Sequence, residues 1–280
     1  MIVFPNAKIN LGLRIISKRN DGYHNLDTVF YPLPFYDILE MVRSEKTEEE
    51  VFFTTSGKEI SGDASSNLCI KAYHLLKQSF PEIPSIKLHL HKNIPMGAGL
   101  GGGSADGAFM IKLLNEKFQL HLDDDKMKTY ALQLGSDCPF FIGNKPALAT
   151  GRGEELNEIS CDLSSKSFLL INPGIHVSTA DAFSKITLSE NVQSCSEIIN
   201  QPIENWRSLL VNDFEKTVFS HHPSIEKIKT KLYNDGAVYA SMTGSGSTVF
   251  GIFDESVLEN KFIDMGYEVV SISNGKATHL

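Results

Sequence analysis

Residues 95–107 read PMGAGLGGGSADG, six glycines in thirteen positions. Glycine loses the most conformational entropy on ordering, so this density weakens any element it occupies and makes sense only where bare backbone is needed. The run AFMIKLLNEKF follows directly. It is apolar on more than one helical face, which predicts a buried helix over about 104–118. Small residues ahead of a helix N-terminus expose several backbone N–H groups, an arrangement suited to an anion and above all to phosphate. The competing reading is a tight turn packing a helix close to a sheet, for which one or two glycines suffice.

Three phosphate-loop templates fit poorly. The form G-x-x-x-x-G-K-S/T needs a lysine after the glycines, and none is present. The dinucleotide form G-x-G-x-x-G is met formally by Gly97, Gly99 and Gly102. It also needs a strand running straight into the loop and an acidic residue ending a second strand. Pro95 interrupts the first, and Asp123 to Asp125 begin a helix instead. The protein-kinase loop needs H-R-D and D-F-G partners, which do not occur.

The 280 residues suffice for one large domain or two smaller ones. A net charge of -8 excludes a general nucleic-acid binder while leaving room for a local basic pocket. Cys69, Cys138, Cys161 and Cys195 are widely spaced without a C-x-x-C pair, the pattern of reduced thiols in cytoplasm. Lys8 interrupts the apolar N-terminus and no basic stretch precedes it, so no secretory signal is expected. No apolar run approaches the roughly 18 to 20 residues of a membrane span.

The first third reads as strands: MIVF, AKINLGLRII, DTVFYPLPFYDILEMVRS and EVFFTTSG, with SEKTEEE at 44–50 as a charged turn. A helix is predicted from an N-cap at Ser65 or Ser66, with Leu68, Ala72, Leu75 and Leu76 on one face. SIKLHLHK alternates, Ile86, Leu88 and Leu90 to one side and Lys87, His89 and His91 to the other. The two histidines fit a solvated strand face better than a metal site, since no third ligand accompanies them. DDDKMKTYALQLG reads as a helix with acidic residues in its first turn and Gly135 at its end. Residues 145–165 are turn-rich and suggest a boundary. Beyond it the order FLLIN, IEKIKTKLYNDG, AVYASM, STVFGIF, ESVLENKFIDMG and YEVVSIS predicts a compact α+β unit whose central strands join at a second glycine turn, TGSG.

The glycine segment PMGAGLGGGSA at 95–105 resembles the phosphate-loop signature of the GHMP kinases, P-x-x-x-G-L-G-S-S-A/S. That family includes galactokinase, homoserine kinase and mevalonate kinase. PNAKINLGL at 5–13 resembles its N-terminal strand motif, and MTGSGSTVF at 242–250 its C-terminal glycine motif. RNDGYHNLDTVFYPL at 19–33, GLGGGSAD, and LGSDCPFF at 134–141 are similar to one branch, which phosphorylates a tertiary hydroxyl of a cytidyl-diphosphate sugar alcohol. The alternatives are another small-molecule kinase of the family, for homoserine or mevalonate, and a catalytically silent nucleotide-binding regulator. The resemblance implies a two-lobe α+β fold, an N-terminal ATP-binding domain over 1–155 and a C-terminal ferredoxin-like α/β lobe over 156–280. It implies ATP as co-substrate with Mg2+, and neither a nucleic-acid nor a membrane partner.

The resemblance also implies roles. Asp137 would be the base that takes the acceptor's proton, and Lys8 its cationic partner. The residues lend support: Lys8 sits among alternating strand residues and lysine is rarely buried unpaired, while Asp137 lies between Gly135 and Pro139 in a turn. Pro95, Met96, Gly97, Ala98, Gly99, Leu100, Gly101, Gly102, Gly103, Ser104 and Ala105 would hold the ATP phosphates, Ser104 capping the helix, contacting phosphate or metal, or both. Asn67 and Leu68 lie where the family's adenine pocket begins, with Lys92 nearby. Tyr23, His24 and Phe183 would take the cytidine by stacking and base-edge hydrogen bonds, against a turn histidine and a core phenylalanine as the plainer readings. Asn10 would touch substrate hydroxyls, and Thr243, Gly244, Ser245 and Gly246 would close over the substrate phosphates. Asp106 departs from the family pattern; a carboxylate near ATP phosphates is unfavourable, so it is expected to point away or help hold magnesium. With no other metal ligand evident, magnesium is expected to be held mainly by the phosphates.

Overall fold

The computed structural model describes residues 1–44, 50–184, 186, 188, 193–255, 260–273 and 275–279. The chain runs β1 (Ile2–Val3), β2 (Asn6–Lys18), β3 (His24–Tyr36), β4 (Ile38–Arg43) and β5 (Val51–Gly57). A short 3-10 turn at Ala64–Ser66 precedes α1 (Leu68–Ser79), β6 (Ile86–Lys92), α2 (Gly102–Phe118), α3 (Asp124–Leu134) and α4 (Phe140–Gly143). Then come β7 (Ala147–Thr150), β8 (Glu155–Glu158), β9 (Ser167–Asn172), α5 (Thr179–Ser184), α6 (Cys195–Ile199), α7 (Ile203–Leu209), α8 (Phe214–His221) and α9 (Pro223–Asn234). The last are β10 (Tyr239–Met242), β11 (Val249–Phe253), α10 (Asn260–Ile263), β12 (Glu268–Ser273) and β13 (Lys276–His279). This mixture of helices and largely antiparallel sheets is α+β.

Two compact units make up the chain. One comprises Met1–Ala7, Tyr36–Met96 and Gly101–Lys145; the other Lys8–Phe35, Gly97–Leu100 and Pro146–Leu280. Each is built from separated stretches of chain.

In the first unit four strands pair in the order β1-β4-β6-β5, with β5 parallel to β6 and the other pairs antiparallel. The alternation of SIKLHLHK holds: Ile86, Leu88 and Leu90 are buried and Lys87 is exposed. His89 bonds Thr54 and Ser56, and His91 bonds Ser56, so the histidines serve a polar strand face. Among the described residues no cluster of three or more His, Cys, Asp or Glu is arranged to hold a metal. α1 starts later than expected because Asn67 is its cap, accepting a hydrogen bond from Cys69 N at 2.9 Å. Ser65 and Ser66 belong to the 3-10 turn, which Asp63 caps. α2 packs between α1 and α3, and its apolar face is fully buried at Ala108, Met110, Ile111, Leu113 and Leu114. The acidic residues at 123–125 start α3, Asp123 accepting from Lys126 N at 2.9 Å.

The second unit holds an antiparallel sheet in the order β10-β11-β9-β12-β13. α8 and α9 bury Val218, Ile225, Ile228 and Leu232 in one cluster with Leu169, Ile171, Val249 and Val269. The strands joined by TGSG are β10 and β11; β10 lies at an edge and β9 at the centre. A further sheet runs β2-β3-β7-β8. Its β7 and β8 form a hairpin inside the segment that reads as turn-rich: Ala147 and Ala149 are buried at alternate positions, a period of two that the surrounding turn residues obscure. The charged turn at 45–49 and residues 256–259 of the predicted last helix lie outside the described residues.

Candidate active site

Within the second unit, β2 carries Lys8 and Asn10, 3% and 2% exposed. The backbone N–H of Lys8 donates to Leu100 O at 2.9 Å, tying the strand to the glycine loop. The ammonium of Lys8 donates to Asn10 Oδ1 at 2.7 Å and stands 4.9 Å from the Phe30 ring centroid. Asn10 is occupied on every side. Its Nδ2 donates to Thr28 Oγ1 at 2.9 Å, its backbone N–H to Thr243 Oγ1 at 3.1 Å, and its Oδ1 also accepts from Gly244 N at 3.0 Å. Expected to touch substrate hydroxyls, Asn10 here aims Lys8 and fastens the TGSG turn.

Thr243 Oγ1 also lies 3.0 Å from Gly99 O. Gly99 has φ +80°, and a Cβ there would overlap the Thr243 carbonyl, so only glycine lets the two glycine segments come this close. Asn212, which carries no signal in the sequence, holds the turn from the other side. Its Nδ2 donates to Met242 O at 2.8 Å and Gly244 O at 2.9 Å, and its Oδ1 accepts from Phe214 N at 3.0 Å. Ser245 Oγ meets Thr179 Oγ1 at 2.9 Å, and Gly246 N donates to Thr243 O at 3.1 Å. The segment 97–100, the turn 243–246 and Lys8 therefore form one hydrogen-bonded assembly.

The aromatic candidates also lie in this unit. His24 and Phe183 stack with centroids 4.8 Å apart and planes at 15°, and Phe183 meets Phe214 edge-on. Burial, helped by Lys18, lowers the His24 pKa below its usual value and favours the neutral ring, one donor and one acceptor. Tyr23 is 55% exposed, with the Arg152 guanidinium 4.8 Å above its ring.

In the first unit the chain enters α2 directly after Gly101. The helix is capped by Gly101 in the left-handed region at φ 72°, so Ser104 lies inside the first turn and is not the cap. Burial pushes the Cys138 thiol up to about 12, against a smaller lowering by the nearby Ser104 hydroxyl. Asp137 precedes Cys138 in the turn before α4 and is half-buried. Pro95 and Met96 lead into the loop, and Ala105 is buried behind it. Leu68 is the first residue of α1, and Asn67 spends its side-chain oxygen on the cap.

Lys92 and Asp106 meet in the interior, Lys92 against expectation and Asp106 in keeping with the expectation that it points away. The Lys92 side chain is 0% exposed, its ammonium bonded to Asp37 Oδ2 and, at 2.7 Å, to Asp106 Oδ2. The Lys92 ammonium is therefore spent in the interior, and Asp106 turns inward to it. Asp37 is absent from the residues singled out by sequence; an aspartate inside the apolar run PFYDIL is the signal that points to a buried charge partner.

No helix among the described residues is long and apolar enough to cross a membrane. Comparison with known proteins adds family identity to this geometry. The model of the GHMP kinases N terminal domain matches residues 67–145, and that of the GHMP kinases C terminal region matches 194–265. The chain is 52% identical over 268 residues to the 4-diphosphocytidyl-2-C-methyl-D-erythritol kinase of Bacteroides fragilis, covering 96% of each chain. A crystal structure of 4-(cytidine 5'-diphospho)-2C-methyl-D-erythritol kinase superposes with a TM-score of 0.77 at 27% identity over 90% of each chain. The mevalonate kinase of Methanococcus jannaschii shares the fold, with a TM-score of 0.69 at 14% identity over 100% of this chain and 98% of its own.

Proposed function

The chain belongs to the GHMP kinases, and from that premise we propose that it transfers the γ-phosphoryl group of ATP to the 2-hydroxyl of 4-diphosphocytidyl-2-C-methyl-D-erythritol, giving the 2-phosphate and ADP in the non-mevalonate route to isoprenoids. The observation that carries the reading is the assembly in which Lys8, the loop segment 97–100 and the turn 243–246 hold one another through Asn10 and Thr243.

Phosphoryl transfer depends on positioning and on neutralising charge more than on covalent help from the protein. Backbone N–H groups of the glycine loop and the start of α2 receive the ATP phosphates, favoured by the helix dipole. Magnesium arrives on those phosphates, which supply most of its oxygen ligands. Asp137 accepts the proton of the acceptor hydroxyl as the new P–O bond forms. Lys8, oriented by Asn10, stabilises negative charge developing on the transferring group. Exposed backbone at Thr243, Gly244, Ser245 and Gly246 receives the substrate's diphosphate. Tyr23 stacks on the cytosine, and His24 and Phe183 complete that end with a ring face and a neutral imidazole. The protein acts on dissolved small molecules, without nucleic-acid or membrane partners, in the cytoplasm.

The test is ADP release from ATP and magnesium with the cytidyl compound, homoserine, mevalonate and galactose offered separately. Turnover with the cytidyl compound alone is expected. Turnover with another acceptor overturns the substrate, and no turnover with any of the four overturns the enzyme.

A further inference from the structure

We propose that Lys92, clamped by Asp37 and Asp106, is a positioning cation for the phosphate loop, fixing the first turn of α2 and biasing it toward an anion. This rests on the reading of the loop as the ATP phosphate site.

Three observations carry it. The first is placement. A Cβ built on Gly102, the first residue of α2, would lie 3.0 Å from Lys92 Nζ and 2.8 Å from Ile94 Cγ2, so the ammonium sits directly beneath the start of the helix. A positive charge at the positive end of a helix opposes the dipole; Asp37 offsets it in the resting molecule, and the site stays favourable to an anion arriving at the helix start. For stability alone, a buried ion pair is replaceable by apolar side chains with little loss.

The second is how the ammonium is held. Asp37 Oδ1 accepts from Asn93 N at 2.7 Å and Ile94 N at 2.9 Å while Oδ2 accepts from Lys92, so one carboxylate fixes both the lysine and the segment leading to the loop. Asp106, one turn into α2, grips the same ammonium from the helix.

The third is the charge left over. Asp106 Oδ1 is buried without a hydrogen-bond partner, and burial pushes this carboxyl up to about 8, with Asp37 adding to the rise against the pull of Lys92. Burial thus favours the neutral form of Asp106 and limits the buried negative charge beside the loop.

The experiment is calorimetric titration of the full chain with ATP, ADP and AMP in magnesium, beside a melting curve for each variant. The double variant Lys92→Met with Asp37→Asn removes the ion pair as a unit; Lys92→Gln replaces it if the double variant does not fold. We expect affinity for ATP and ADP to fall about tenfold or more, the scale of a hydrogen bond to a charged group, with AMP changed less than about threefold. Undiminished ATP affinity without the ammonium overturns the proposal, as does equal weakening of AMP, which marks general collapse of the pocket. A parent chain that binds AMP but gains nothing from further phosphates overturns the loop reading itself, an outcome distinct from both.

Discussion

Asn212→Ala tests whether the TGSG turn is held from behind by one side chain. The asparagine is 2% exposed and makes three hydrogen bonds, two from Nδ2 to the carbonyls of Met242 and Gly244 and one to Oδ1 from the N–H of Phe214. Alanine removes all three bonds in a buried place, and of the three partners the Met242 carbonyl retains the Ser241 hydroxyl as a donor. At about 1 kcal/mol net for each lost bond, rising where the orphaned group stays dry, the change costs about 3 to 5 kcal/mol. With about 2 to 4 °C per kcal/mol for a chain of this size, the midpoint should drop by roughly 6 to 20 °C. Asn212→Asp is the sharper control. It keeps the acceptor for Phe214 but sets a carboxylate oxygen against two carbonyls, so it should destabilise at least as much. Differential scanning calorimetry reads stability, and coupled ADP release reads kcat/KM, which should fall in both variants because Gly244 also bonds Asn10 beside Lys8. A midpoint within about 2 °C of the parent for Asn212→Ala refutes the reasoning, since three dry hydrogen bonds cannot vanish at that cost.

Asp137→Asn should abolish ADP release while calorimetry still shows ATP binding; near-parental turnover removes Asp137 as the base. Tyr23→Ala should mainly raise KM for the cytidyl substrate in steady-state kinetics, and an unchanged KM takes the ring out of the site. The Asp106 carboxyl, raised from 3.8 to about 8, makes the folded state the better proton binder between those values. Its contribution to stability therefore declines as pH rises from about 4 to about 8, the sign opposite to a salt-bridged carboxylate. Melting curves of the parent relative to Asp106→Asn should show this decline across pH 5 to 8, and parallel curves refute it.

Hydrophobic alternation and helix periods were legible along the chain, whereas contacts between distant residues and the choice among neighbouring caps were not. The alternation of SIKLHLHK already places Lys92 on the same side as Leu90, inside the sheet, but the acids that hold it are 55 and 14 residues away. The glycine density at 97–103 signals bare backbone, yet the reason for Gly99 is a carbonyl at Thr243. Lys8 and Asn10 look alike in the motif AKIN, and only the fold shows one aiming the other. Asn67 outcompetes Ser65 and Ser66 as a cap because the serines are drawn into a turn closed by Asp63, a choice between neighbours of similar capping strength. The β7–β8 hairpin is short enough for its turn residues to dominate its composition, and α5 to α8 are too brief for a helical period to stand out.

The interleaving of the two units has a consequence for synthesis. The first unit has all its residues once position 145 has left the ribosome, whereas the second draws on residues 8–35 and 97–100 and on everything from Pro146 onward. Asn10 meets Thr243 across 233 positions. At about 5 to 20 residues per second, the strand bearing Lys8 waits roughly 10 to 50 s for its partners. The assembly around Lys8 is thus among the last parts of the molecule to form. Nascent chains stalled short of Thr243 should carry a finished first unit and an exposed, apolar β2, the segment on which a chaperone would act.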